Sequence, residues 1–515
     1  MSLNLAHFFQ MTAEAYPDKT AVILDEYRFT YQEVLAFARR VANVLTDKGV
    51  KRGDKVAMMI PNTPHFPIIY FGALLAGAVV VPVNCLLKGH EIRYHLEDSD
   101  AKVFFTWIDF VDESVKAMEE ALTCHDLVVV SRPDDSEDMP HGESFTKLIM
   151  QASPEFDIVQ TMADDTAVIL YTSGTTGYPK GAELTHFNMF FNAYYTKQHI
   201  LHANSDDVSL AVLPLFHSFG QTCVQNATFI SGGTVTMVPR FEVRHVLEVI
   251  RRDRVTILPM VPTMYFWLLD EKTNGDYDLS SVRMACSGGS ALPVEILARF
   301  EKEFGFPILE GYGLSETSPV ASFNIIERPN KPGSIGLPIW GCEMRIMRED
   351  GSFADVGEVG EIVMRGHNVM KGYYKKQLAT EEAFESGWFH TGDLALKDED
   401  GYFFIVDRKK DLIIRSGMNV YPREIEEILY AHPAVLEAAV VGVPDEARGE
   451  EVKAFVALKP GKPISIDDLN AYCVERMAKF KCPKTFEFLP SLPKGPTGKI
   501  LKRELRKDSA SQASA

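Results

Sequence analysis

An apolar run, Ala167 to Leu170, leads straight into Tyr171-Thr172-Ser173-Gly174-Thr175-Thr176-Gly177-Tyr178-Pro179-Lys180-Gly181. Such a run followed at once by turn formers reads as a buried strand that stops in a loop. Glycines at 174, 177 and 181 let backbone N–H groups close on a ligand. Thr172, Ser173, Thr175 and Thr176 donate hydrogen bonds and Lys180 adds a fixed positive charge, so the loop has the makings of a phosphate nest. A Walker A loop needs Gly at 179 and Ser or Thr at 181, where Pro179 and Gly181 stand, so phosphate binding here requires another architecture. Alone, the cluster reads equally well as a polar surface turn, and its companions along the chain have to decide.

Around this loop the chain alternates between two periods. Thr30-Tyr31-Gln32-Glu33 is a capping-box pattern opening a helix whose Val34, Phe37, Val41, Val44 and Leu45 share one face until Gly49. Strand patterns at 55–60, 78–83 and 102–106 follow, then further ones at 208–213, 234–238 and 255–258, with helices such as 243–252 between them. That rhythm predicts parallel sheets, which bind ligands at the carboxyl ends of their strands. From Asn330 to Tyr374 short alternating strands with frequent Gly predict a β-rich subdomain, and after Arg408 the texture shifts again. The fold class is therefore α/β, with a large N-terminal domain (1–408) of parallel sheets and a β-rich subdomain, and a small α+β C-terminal domain (409–515).

A net charge of -18 argues against a nucleic-acid partner, and the lysines of 479–507 are dispersed enough to read as a solvated face. Seven cysteines without a C-x-x-C pair give neither a disulfide framework nor a zinc site. The N-terminus lacks the pattern of a secretory signal, and the longest weakly polar run, 68–83, falls short of the ~18 residues a spanning helix needs. A cytoplasmic protein without a transmembrane segment is expected. Peripheral membrane contact and a homo-oligomer stay open.

Four more stretches join the loop: Gly311-Tyr312-Gly313-Leu314-Ser315-Glu316-Thr317, Gly387-Trp388-Phe389-His390-Thr391-Gly392-Asp393, Asp407-Arg408-Lys409-Lys410-Asp411, and Pro493-Lys494-Gly495-Pro496-Thr497-Gly498-Lys499. Each alone reads as a turn, a linker or an exposed loop. Together, in this order and spacing, they closely resemble the adenylate-forming superfamily of acyl-CoA synthetases, luciferases and carrier-protein adenylation domains, and within it the bacterial fatty-acid-CoA ligases.

The resemblance implies ATP, Mg2+ and coenzyme A as partners of a carboxylic acid, and a mobile C-terminal domain closing over the site. It places the ATP phosphates on Thr172, Ser173, Gly174, Thr175, Thr176, Gly177 and Lys180, and the metal on Thr172 and Glu316. Tyr312 would stack on adenine, Gly311, Gly313 and Ser315 would also bind ATP, and Asp393 and Arg408 would fix the ribose. His217 would stand beside the carboxylate, and Phe219, Gly288, Gly289 and Ser290 would border the acyl pocket. Lys499 would be the mobile catalytic lysine, acting with Lys180 and His217, and Lys410 the hinge. Arg415, Ser416, Gly417, Met418 and Asn419 would form the loop presented for the CoA stage. A proline at the hinge is expected to spare the adenylating arrangement.

The segment 217–230 is expected to be a helix with apolar Phe219, Cys223, Val224, Ala227 and Phe229 and no basic residue, which points to a neutral acyl tail, first of all a medium- or long-chain fatty acid. An aryl, hydroxycinnamate-like acid or a luciferase-like reaction stays open, as does a nucleotide-binding sensor without catalysis. An amino-acid substrate is disfavoured because His217 stands where the resemblance would call for an Asp.

Overall fold

The computed structural model describes residues 2–132, 139, 141–172, 178–272, 277–445, 448–495 and 498–506. Two large sheets carry residues up to Pro338 and the Gly372–Tyr373 strand. In the first, the order is Gly372–Tyr373, Lys180–Thr185, Thr166–Thr172, Val79–Pro82, Lys55–Met59, Ala101–Trp107, Asp126–Val130 and Glu143–Ser144. In the second, Ile308–Gly313, Met284–Ser287, Ile257–Met260, Val208–Ala211, Thr234–Met237 and Thr20–Leu24 run parallel. Antiparallel strands flank them at either end. Both sheets are thus built from the predicted β-α-β units.

Local chemistry sets the helices. Thr30 accepts the N–H of Glu33 while the Glu33 carboxylate accepts the N–H of Thr30 at 2.7 Å, a reciprocal cap that starts the helix Tyr31–Asp47. Val34, Val41 and Leu45 are buried along it. One continuous core joins the two sheets through the helices Ala6–Ala15, His65–Leu75 and Ala227–Ser231. There the rings of Phe9, Phe71 and Phe229 lie within 4.4–5.9 Å of one another. No helix among the described residues is long and apolar enough to cross a membrane.

A third sheet of Cys342–Met347, Gly360–Gly366, Trp388–Lys397 and Phe384–Glu385, with Phe403–Arg408 paired to Trp388–Lys397, is the β-rich subdomain. The chain then changes sheets: Phe403–Arg408 is the last strand on this side, and Ile413–Arg415 joins a fourth sheet with Met418–Val420, Gly449–Leu458, Val435–Asp445 and Thr485–Phe488. Helices Pro422–Tyr430 and Ile466–Arg476 cover it, with a core of its own around Ile425, Leu429, Val440, Val456 and Leu469.

Two expectations need correction. The segment after His217 is a π-helix, Gly220–Asn226, running into the α-helix Ala227–Ser231. Its i→i+5 bonding widens the turn, so the apolar residues do not form the single face that a 3.6-residue period suggests, and Gln221, Gln225 and Asn226 are fully buried beside Cys223 and Val224. The C-terminal lysines are only in part a solvated face: Lys479 and Lys484 are exposed, but several carry ion-pair partners. Lys481 pairs with Glu424, Lys484 with Asp445, Lys494 with Glu437 and Lys502 with Glu426. Dispersed spacing conceals cross-strand and helix partners that only the fold supplies.

Candidate active site

The phosphate-type loop closes an antiparallel hairpin, with Thr172 opposite Lys180 at its mouth. Ser173, Gly174, Thr175, Thr176 and Gly177 lie outside the described residues. Beyond them the exposed Tyr178 ring stacks on Tyr94, centroids 5.1 Å apart and planes 24° apart. The Tyr94 hydroxyl donates to the Pro179 carbonyl at 2.8 Å. Two aromatic side chains therefore tie the returning limb of the loop to the helix Gly89–Ser99. No sequence motif marks Tyr94.

Across the hairpin mouth stands Glu316, on a short turn after the Ile308–Gly313 strand. Its Oε1 accepts from the Thr172 hydroxyl at 3.3 Å and from the Tyr373 hydroxyl at 3.0 Å. Oε2 has no hydrogen bond among the described residues. Lys180 Nζ lies 4.6 Å from the Tyr373 ring centroid. A carboxylate and a hydroxyl side by side are the hard oxygen donors that magnesium takes alongside substrate phosphates, so the residues fit that ion.

Gly311 and Gly313 owe their identity to packing. A Cβ on Gly313 would fall 1.8 Å from the Pro319 carbonyl oxygen, and one on Gly311 would enter the Phe323 ring. Between them Tyr312 donates to Asp393 Oδ2 at 2.6 Å, and burial with the neighbouring Asp393 charge holds its hydroxyl pKa well above the ordinary value. Asp393 Oδ1 pairs with Arg408 Nε at 3.1 Å, the two residues being partners across Trp388–Lys397 and Phe403–Arg408. Both carboxylate oxygens are thereby aimed before any ligand arrives. Ser315 stands half-buried at the following turn.

Lys499 reaches this cluster from the C-terminal module. The loop that carries it is seated on the helix Pro262–Lys272: Lys494 Nζ lies 5.1 Å from the Trp267 ring centroid. A Cβ on Gly498, whose φ is +76°, would come within 2.8 Å of Thr263 Oγ1. Burial first, then the charges of Arg408 and Lys410, draw the Lys499 ammonium down to about 8, while Asp393 and Asp411 pull the other way. Burial and the Lys499 charge together push the His217 imidazole down to about 4, so it is neutral at physiological pH. Its Nδ1 accepts the N–H of Phe219 at 3.3 Å. The Phe219 ring in turn packs on Gly288, where a Cβ would sit 3.2 Å away. Gly289, with φ +81°, and Ser290 follow at the end of Met284–Ser287.

Lys410 sits in a tight turn between sheets. Asp411 N and Leu412 N both donate to the Arg408 carbonyl, at 2.9 and 3.1 Å, and Asp411 is held by Arg506 at 2.7 Å. Burial and the nearby Arg408 charge lower the Lys410 pKa. The loop expected at the CoA stage divides. Ser416 and Gly417 turn with φ of +53° and +77°, and Met418 and Asn419 are exposed beside them. Arg415 is withdrawn from this set, because its guanidinium is buried, paired with Glu451 at 2.7 Å and donating to the Phe480 carbonyl at 2.6 Å. It staples the small module internally.

The described residues of these five stretches thus come together through Thr172 on Glu316, Tyr312 and Arg408 on Asp393, and Lys499 beside Arg408, Lys410 and Asp393. Residues 9–374 match the model of the AMP-binding enzyme and residues 424–499 that of the AMP-binding enzyme C-terminal domain. The chain belongs to the AMP-binding enzyme family. Within it, a long-chain-fatty-acid–CoA ligase of Bacillus subtilis is 38% identical over 519 residues, covering 96% of this chain and 92% of its own. A feruloyl-CoA synthase of Amycolatopsis sp is 38% identical over 496 residues, covering 96% and 97%. The crystal structure of an anthranilate CoA ligase in complex with anthranoyl-AMP superimposes with a TM-score of 0.95 at 29% identity, over 100% of this chain and 98% of that one. This member of the family is an acid–thiol ligase, joining an acid to CoA through an acyl-adenylate.

Proposed function

We propose that the acid is a medium- or long-chain fatty acid and that the named residues divide the two half-reactions between them. The observation that carries the assignment of roles is the seating of Lys499 beside Asp393, Arg408 and His217. Activation requires a carboxylate oxygen to attack the α-phosphorus of ATP while pyrophosphate leaves, so two anions must be brought together. Lys180 and Lys499 offset that repulsion, and Lys499 donates to the oxygens on which charge grows as the pentacovalent phosphate forms. Magnesium, held by Glu316 and Thr172, would supply further neutralisation of the triphosphate.

Asp393 receives the ribose hydroxyls, Arg408 and the Tyr312 hydroxyl hold its carboxylate in place, and Tyr312 presents its ring to adenine. Neutral His217 borders the substrate carboxylate without adding a charge that would hold it back as an ion pair. In the second half-reaction the CoA thiol attacks the acyl carbon and AMP leaves, a step needing Lys499 no longer. Rotation of the small domain about Lys410 would withdraw it and present Ser416–Asn419.

For the acyl group, the fatty-acid reading rests on the Bacillus subtilis relative and on the 218–229 segment, which is buried throughout and carries no charged side chain. A second reading, an aryl acid, is favoured by the feruloyl-CoA relative and the anthranilate-ligase likeness. A substrate panel read by pyrophosphate release decides between them. Fatty acids are expected to give the highest kcat/KM, and a higher value for feruloyl- or benzoate-type acids overturns the fatty-acid reading.

A further inference from the structure

At the end of the first sheet opposite the phosphate hairpin is a cavity of about 330 Å³, within the size range of small-ligand sites. Lys55, Val79 and Thr166 begin three of its parallel strands there, six residues, ~20 Å, from the Thr172 end. Arg52, Lys55 and Lys371 face Asp165 and Glu183 around it, with Tyr374 as an aromatic wall.

Its hydrogen-bonding balance is tilted toward donors. Asp165 Oδ2 is spent on Arg52 Nε and Nη2, at 3.1 and 2.6 Å, and on the N–H of Met162. Glu183 Oε1 accepts the Thr166 hydroxyl at 2.7 Å. Neither Lys55 nor Lys371 has a carboxylate within 4 Å among the described residues. Lys55 Nζ instead lies 4.6 Å from the Tyr374 ring centroid. Burial lowers its pKa even though Asp100, Glu183 and Asp54 act to raise it, so the ammonium is under-compensated where it sits. Among the lining side chains three cations stand against two carboxylates, and the neighbouring Asp54 and Asp100 are themselves paired with Lys102 and Lys375.

We propose that this cavity is a second anion site, taking a compact oxyanion of the phosphate class between Lys55 and Lys371 and coupled to the phosphate hairpin. The coupling element is the strap 370–374. Lys371 N donates to Glu183 O at 2.9 Å, Tyr374 N to Gly181 O at 2.8 Å, Met370 N to Glu316 O at 2.8 Å, and the Tyr373 hydroxyl to the Glu316 carboxylate. An anion drawing Lys371 inward holds the same short segment that positions Glu316 and covers Lys180. This site is independent of which acid is activated.

The test uses the full-length protein and radiolabelled orthophosphate in equilibrium dialysis at fixed ionic strength, with Lys180→Ala to remove the hairpin's own affinity for phosphate. One orthophosphate per chain is expected to remain bound in Lys180→Ala. It should weaken at least 10-fold when either Lys371→Glu, an exposed position that leaves the core untouched, or Lys55→Met is added. Glycerol 3-phosphate displacing it at lower concentration than unlabelled orthophosphate assigns a phosphomonoester, as the cavity size suggests; the reverse order assigns the free anion. No binding in Lys180→Ala, or residual binding that both cavity variants leave unchanged, overturns the site.

Discussion

Replacing Lys499 with alanine separates what its charge costs from what it does. Holding the ammonium in the cleft with its pKa drawn from 10.5 down to about 8 costs about 3 kcal/mol before ATP binds. Alanine removes that cost, so the seating of Gly498 on Thr263 and of Lys494 on Trp267 should survive and ATP should bind with little change in affinity. What is lost is a donor to the charge that develops on phosphorus, worth about 10²–10³-fold in rate. Isotope exchange of pyrophosphate into ATP, with the acid present, should fall by that factor in Lys499→Ala. CoA-dependent consumption of preformed acyl-adenylate should stay within about threefold of wild type.

The same lysine sets a pH dependence. Below pH 8 it is charged whether docked or free, and the cost opposing docking is present in full. As pH rises through about 8 the docked lysine gives up its proton, docking becomes easier, and the cation needed at phosphorus disappears. The kcat/KM for ATP should therefore decline above pH 8 in wild type and lose this limb in Lys499→Ala. Equal loss in both half-reactions, or an unchanged exchange rate, would refute the reasoning.

Glu316→Gln keeps the shape that Thr172 and Tyr373 hydrogen-bond but removes the charge, so the magnesium concentration for half-maximal exchange should rise about tenfold; an unmoved requirement marks Glu316 as structural. Arg415→Ala leaves the buried Glu451 with the Val452 N–H and, among the described residues, Arg448 at 3.5 Å as its one remaining cation, and should cost the small module toward the lower end of ~3–5 kcal/mol, visible in chemical unfolding; unchanged stability with a selective rise in the KM for CoA would return Arg415 to the CoA stage. Lys410→Pro forces Lys409 out of the helical region that the paired bonds to Arg408 O require, so the first half-reaction should suffer more than the second; wild-type rates in both would show that Lys410 is no hinge.

That last expectation reverses the one drawn from sequence, and the reason is instructive. Composition locates the boundary near Arg408, but whether Lys410 is the third residue of a turn depends on where Leu412 and Asp411 find acceptors, which is tertiary information. The pieces legible in the sequence are those with local causes. The Thr30–Glu33 cap, the Val243–Arg252 helix and the strand ahead of the phosphate loop all follow from spacing and capping alone.

Motif order also brought out Asp393, Arg408 and Lys499, which the fold sets beside one another, and Glu316, which it sets against Thr172 of the hairpin. The π-helix after His217 was not legible, because seven residues carry no signature separating i→i+5 from i→i+4 bonding. Arg415 looked like a presented cation because the acid it answers, Glu451, lies 36 residues away in sequence. Tyr94 and Tyr373 escaped for the same reason, since their work is done on segments about eighty and sixty residues distant.

The contact between Lys494 and Trp267 has an optical consequence. The chain has four tryptophans, and this one carries an ammonium over its ring only while the lysine loop is seated on the Pro262–Lys272 helix. When the loop departs, the indole exchanges a nearby cation for water, and its emission should change in intensity and colour. The protein thus carries its own fluorophore at the seam, and stopped-flow emission from unlabelled enzyme could time the passage between the two halves of the cycle, with Trp267→Phe as the silent control.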